Sequence, residues 1–169
     1  MNFARSASHA TNLVCSATTL LFALALGGPN AGAQTGVQLT FGGSVSFDAP
    51  TAADYTAGTL EAATPLPFEV VTTSEPSGSF TTTVSIRSSS STLGGGKPVA
   101  NLEWRRGDDP TWHALTTSDA VVESRIAEGA PEGHTWNNTI HFRIALQWTS
   151  DPPATYTGNL VITVSTTQP

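Results

Sequence analysis

Near the C-terminal end, hydrophobic and polar residues alternate strictly. Ile140, Phe142, Ile144, Leu146 and Trp148 share one parity, and His141, Arg143, Ala145 and Gln147 share the other. Successive side chains of a strand point to opposite faces, so this period of two predicts one buried face, Trp148 included, and one wetted face. Ser150-Asp151-Pro152-Pro153 interrupts the run, because proline fixes φ and removes a ladder donor. Alternation then resumes with Tyr156, Gly158, Leu160, Ile162 and Val164 against Thr155, Thr157, Asn159, Val161 and Thr163. The two runs are expected to be adjacent antiparallel strands, or strands that pass between sheets at the proline corner.

Weaker copies of the pattern lie upstream. Val37, Leu39, Phe41, Val45 and Phe47 predict a strand with a bulge or bend at Gly42-Gly43. Leu66, Phe68 and Val70 predict another, with Pro65 and Pro67 marking an edge or a strand start. Further strands are expected at Phe80, Thr82, Val84 and Ile86; at Ala100, Leu102 and Trp104; over residues 112–115; and over residues 120–126. The turns between them are Glu75-Pro76-Ser77-Gly78, Gly107-Asp108-Asp109-Pro110 and Gly129-Ala130-Pro131-Glu132-Gly133. About eight short strands with no helix between them imply antiparallel pairing, since parallel crossovers need a dozen or more residues. The expected fold is all-β, an immunoglobulin-like antiparallel β-sandwich. The Ser/Gly-rich segment 88–96 reads as a long mobile loop inside that domain, because the short stretch before it would make a marginal core alone.

The first 33 residues follow a different rule. Arg5 is the sole charge before Asp48, an apolar stretch covers residues 17–26, and Gly27-Gly28-Pro29-Asn30 breaks it ahead of Ala31-Gly32-Ala33. A cationic start, a short apolar segment and small residues before a cut form a secretory signal peptide. Cleavage is expected between Ala33 and Gln34, giving a signal peptide at 1–33 and one β-sandwich domain at 34–169. The apolar run is too short for a membrane span, which needs roughly 20 residues. The expected destination is secreted, periplasmic or at the cell surface.

Loss of Arg5 with this leader moves the formal charge from −6 to −7. Such a chain, with no basic cluster larger than Arg105-Arg106, repels a phosphate backbone, so neither nucleic acid nor an anionic membrane is an expected partner. Cys15, the single cysteine, precedes the apolar run and leaves with it, so the mature domain has no disulfide. This fits a bacterial exported protein. Asn137-Asn138-Thr139 then reads as a polar loop rather than a used glycosylation sequon.

Leu102-Glu103-Trp104-Arg105, Trp112, the alternation to Trp148, and Asp151-Pro152-Pro153-Ala154-Thr155-Tyr156-Thr157-Gly158 together resemble bacterial exported β-sandwich proteins of spore-coat-U-like and fimbrial-subunit-like type. The likeness is specific over residues 140–165. It implies a surface or appendage component without catalysis. The mature chain lacks the disulfide common in those subunits, and its N-terminal third carries no matching motif.

Candidate chemistry is sparse. His113, His134 and His141 lack metal-ligand spacing and are expected at the surface. No G-x-S-x-G elbow supports a serine hydrolase. Asp108 and Asp109, with Asp119 and Glu123 nearby, lack the alternate acidic positions of a calcium loop, and nothing supports a glycosidase carboxylate pair. No catalytic, cofactor or metal residue is expected. Trp104 and Trp148 read as core, each burying on the order of 200 Å². Trp112 and Trp136 lie beside loops, where they either plug the ends of the sandwich or stack on a glycan.

The function expected first is therefore a non-catalytic exported structural or adhesion-type domain that associates with itself or with other exported proteins. The strand behind the cleavage point either completes a neighbour's sheet or, as expected of a terminal strand, pairs at home. The rival function is a carbohydrate-binding module using Trp112 and Trp136. A third, an extracytoplasmic hydrolase, requires His, Asp and Ser side chains to converge in a cleft.

Overall fold

The computed structural model describes residues 15–17, 36–42, 44–73, 79–128, 134–151 and 156–167. Its strands and one α-helix run in the order β1 (Cys15–Ala17), β2 (Gly36–Phe41), α1 (Ala52–Ala57), β3 (Thr59–Glu61), β4 (Leu66–Thr73), β5 (Ser79–Ser88), β6 (Leu102–Arg106), β7 (His113–Ala114), β8 (Ala120–Glu128), β9 (His134–Ala145) and β10 (Gly158–Thr167). They form a two-sheet, all-β sandwich. One sheet has the order β1-β10-β5-β8, the other β2-β4-β9-β6-β7 with β3 also on β9.

The twelve-residue β9 organises the larger sheet. Its first half pairs with β4, from Thr72 opposite His134 to Leu66 opposite Ile140. Its second half pairs with β6 on one side, Trp104 opposite Phe142, and with β3 on the other, Leu60 opposite Ile144. The alternation works as expected: Ile140, Phe142, Ile144 and Leu146 are buried. In the smaller sheet β10 lies antiparallel to β5, with Ile162 opposite Ile86 and Val164 opposite Val84. β9 and β10 thus belong to different sheets, so the chain changes layer near the expected corner. Pro152 and Pro153 themselves lie outside the described residues, as do the turns at 75–78 and 129–133.

Several expectations need correction. Trp148 is 61% exposed rather than core. The ladder ends at Ala145, and a turn closed by Asp151 N–H on the Gln147 carbonyl at 3.0 Å redirects the chain. Val45 and Phe47 are buried as expected but not in a strand, since β2 stops at Phe41 and the Gly42 N–H donates to the Pro67 carbonyl at 3.1 Å. Of the two alternatives for Pro67, the strand start holds: it is the second residue of β4, a strand interior to its sheet. Val99, not Ala100, is buried ahead of β6, because residues 99–101 form a 3-10 turn that shifts the parity. Asn137-Asn138-Thr139 lies in β9 rather than in a loop.

Helix α1 was not expected either. Thr51 and Asp54 form a reciprocal capping box, and Gly58 closes the C-terminus at φ 77°. Segment 88–96 is not loose but tied down: Ser89 N–H donates to the Asn159 carbonyl at 3.1 Å and Gly94 N–H to the Thr157 carbonyl at 2.6 Å. A Cβ on Gly94 would run into Thr157 Oγ1 and lie 3.2 Å from the Thr157 backbone nitrogen, so glycine suits this close approach.

The strand behind the expected cleavage point pairs within its own domain, Val37 opposite Thr72 and Leu39 opposite Val70. The Ala33 to Gln34 junction lies outside the described residues. Within the expected leader, Cys15–Ala17 is described as β1, parallel to Gly158–Leu160.

Candidate functional site

Trp112 and Trp136 have different fates. Trp136 alternates inward on β9 and is 7% exposed, with the Arg125 guanidinium 5.4 Å from its ring centre. Near the start of β9 it turns its ring into the buried face, which leaves little of it accessible to a ligand. Trp112 stands half-buried just before β7. The guanidinium carbons of Arg143 and Arg105 lie 4.5 and 5.1 Å from its ring centre.

Both arginines belong to the outer face of the larger sheet. On β6, Glu103 and Arg105 alternate with buried Leu102 and Trp104; on β9, His141 and Arg143 alternate with buried Ile140, Phe142 and Ile144. Register sets Arg105 beside His141 and Glu103 beside Arg143, with Glu61 of β3 on the far side of Arg143. Arg143 Nε bonds Glu103 Oε2 at 2.5 Å. Among the described residues Arg105 has no carboxylate partner; its Nη1 donates only to the Arg106 and Asp109 carbonyls, each at 3.4 Å. A cation held against an indole is worth about 0.5–1 kcal/mol at an exposed site.

His141 is held below its ordinary value of 6.5, first by burial and then by the Arg105 charge, with Glu61 acting the other way. The unfolded chain therefore binds more protons as pH falls through 6.5. Stability from this residue is fully present above that pH and is lost below it. His141→Gln should flatten the acid limb of stability between pH 7 and 5, as read by urea unfolding at stepped pH. An unchanged slope would show that His141 carries none of it.

A second aromatic group sits where the sequence predicted core. Tyr55 of α1 stacks on exposed Trp148 with ring centres 4.7 Å apart, and the Tyr55 hydroxyl donates to the Asp151 carbonyl at 3.0 Å. Asp151 also takes Lys97 Nζ on Oδ1 at 2.5 Å and the Gln147 N–H on Oδ2 at 2.7 Å. Lys97 and Asp151 side chains are only 2% and 6% exposed. Burial, then the Asp151 charge, raises both the Tyr55 and Tyr156 hydroxyl pKa values.

The remaining candidates are dispersed. Asp108 pairs with Arg106, Asp119 with Arg87, and Glu123 with Arg125 and Asn138. Asp109 accepts the Thr111 N–H, which draws its carboxyl below the usual range. His113 is exposed with its ring 5.1 Å from that of Trp104, whereas His134 lies at the far end of β9 from His141. Among the described residues no group of three His, Cys, Asp or Glu is placed to hold a metal, and no helix is long and apolar enough to cross a membrane. No protein-family model, curated protein or solved structure matches the chain.

Proposed function

We propose that this chain is a non-catalytic exported domain of structural or adhesion type that associates with copies of itself through the edge of its smaller sheet. The observation that carries this is the pairing of β10. One side of β10 pairs with β5 from Leu160 to Thr167, whereas on the other the strand paired with it among the described residues is β1, over Gly158–Leu160. β1 belongs to the expected leader, so cleavage after Ala33 turns the ten-residue β10 into an unpaired edge. Such an edge is a template for a strand of another copy.

The opposite edge strand, β8, carries exposed Val121 and Ile126, the latter 76% accessible. Apolar side chains on an edge favour association further. The C-terminal resemblance favours an appendage or surface component as the form this takes.

The test is made on residues 34–169. The Asn159 carbonyl accepts from Ser89 beside β5, so odd-numbered backbone groups of β10 face β5 and even-numbered ones face the open edge. Thr166→Pro thus deletes an outward N–H and spares the internal ladder. Sedimentation should show concentration-dependent oligomers for residues 34–169, and monomers for the proline variant. A folded monomer at every concentration before the substitution would exclude the proposal.

A further inference from the structure

We propose that Trp112, Arg105 and Arg143, on the outer face of the larger sheet, bind a hexuronic-acid residue of an acidic polysaccharide. This goes beyond self-association by giving the adhesion-type domain a ligand, and it uses the other sheet.

The chemistry follows from how the charges are disposed. Arg143 is already matched by Glu103 at 2.5 Å, with Glu61 beside it in register. Arg105 is not matched, and two 3.4 Å carbonyl contacts leave most of its five donors unused. A guanidinium fork is built for a carboxylate, which it binds through two parallel hydrogen bonds. The half-buried indole, with the two guanidiniums 4.5 and 5.1 Å from its ring centre, adds what a bare anion does not need: apolar ring surface beside the cations for the C–H face of a pyranose ring. An uncompensated guanidinium next to a half-buried tryptophan therefore suits a ligand with one flat apolar face and one carboxylate at its rim. A hexuronate has both.

The surroundings narrow the choice. The chain carries a formal charge of −6, so its net charge opposes any polyanion, and the attraction is local: one carboxylate against Arg105 and one ring face against Trp112. Glu103 and Glu61 bound the site on the Arg143 side and discourage a second anion there. His141, opposite Arg105 and depressed below its ordinary pKa, offers a neutral ring nitrogen to a sugar hydroxyl.

Calorimetric titration of the full chain with oligogalacturonate at low ionic strength tests this. Saturable binding is expected, weakening with added salt. Arg105→Gln should reduce the affinity roughly tenfold, Arg105→Lys should fail to restore it fully, and Trp112→Ala should abolish it. Cellotetraose, which lacks the carboxylate, and a polyglutamate peptide, which lacks the pyranose face, should both fail to bind. The affinity should be unchanged by Thr166→Pro, which separates this site from self-association. The proposal is overturned by no binding of oligogalacturonate, by binding that survives Arg105→Gln, by equal binding of cellotetraose, or by equal binding of polyglutamate. Arg105→Gln removes only surface contacts, so it decides the matter even if Trp112→Ala unfolds.

Discussion

Asp151→Ala should lower the unfolding free energy by about 3–5 kcal/mol. Asp151 holds three things at once: its carboxylate accepts from Lys97 Nζ and the Gln147 N–H, and its backbone carbonyl accepts from the Tyr55 hydroxyl. Alanine keeps the last and removes the first two. Lys97 is then a cation without its carboxylate in a place only 2% exposed, with the Tyr156 ring 5.6 Å away. Desolvation of the lone charge, rather than loss of attraction, dominates the effect.

A double substitution separates the two causes. Lys97→Met with Asp151→Asn removes both charges, while the amide oxygen still accepts from Gln147. Most of the lost stability should return, because a buried ion pair contributes little beyond a well-packed neutral pair. Urea unfolding of the single and double variants gives the comparison. A double variant as unstable as Asp151→Ala would mean that the charge pair itself, and not the stranded lysine, holds the corner.

The buried pair was not legible in the sequence. Lys97 follows three glycines in a segment whose composition signals mobility, and Asp151 sits in a proline turn. Nothing local brings residues 54 positions apart together. The Arg105, Arg143 and Trp112 cluster was hidden for the same reason: it depends on the register of three strands, and a slip of one residue would turn Arg143 inward. Position beside a turn singles out both Trp112 and Trp136, but it cannot tell a half-buried ring from one that strand parity turns inward, as β9 does to Trp136.

What could be read was what period two controls. The core parity of β5, β9 and β10 follows directly from alternation, and so does the two-layer architecture. Alternation does not mark where a ladder stops, and Trp148 was misplaced for that reason. Helix α1 escaped because six residues are too few to show a helical period, although Thr51, Asp54 and Gly58 were signals for its two ends. β1 fell in a stretch whose composition pointed to export.

Phe142→Ala should lower stability by about 3–5 kcal/mol, a loss set by cavity formation and not by charge. Phe142 is 1% exposed, opposite Trp104 in register, and its carbonyl accepts the Ala62 N–H at 2.9 Å. Its neighbours cannot easily close the space, since β9 is held by β6 on one side and by β3 and β4 on the other. Because the backbone rung stays, the substitution isolates side-chain packing. Val121→Ala, on the edge strand β8 and 59% exposed, is the matched control and should change stability by less than about 0.5 kcal/mol. The midpoint of urea unfolding should fall for Phe142→Ala with an unchanged slope. A loss no greater than that of Val121→Ala would mean that the side-chain parity of β9 does not hold the two sheets together, and the sandwich would need another source of cohesion.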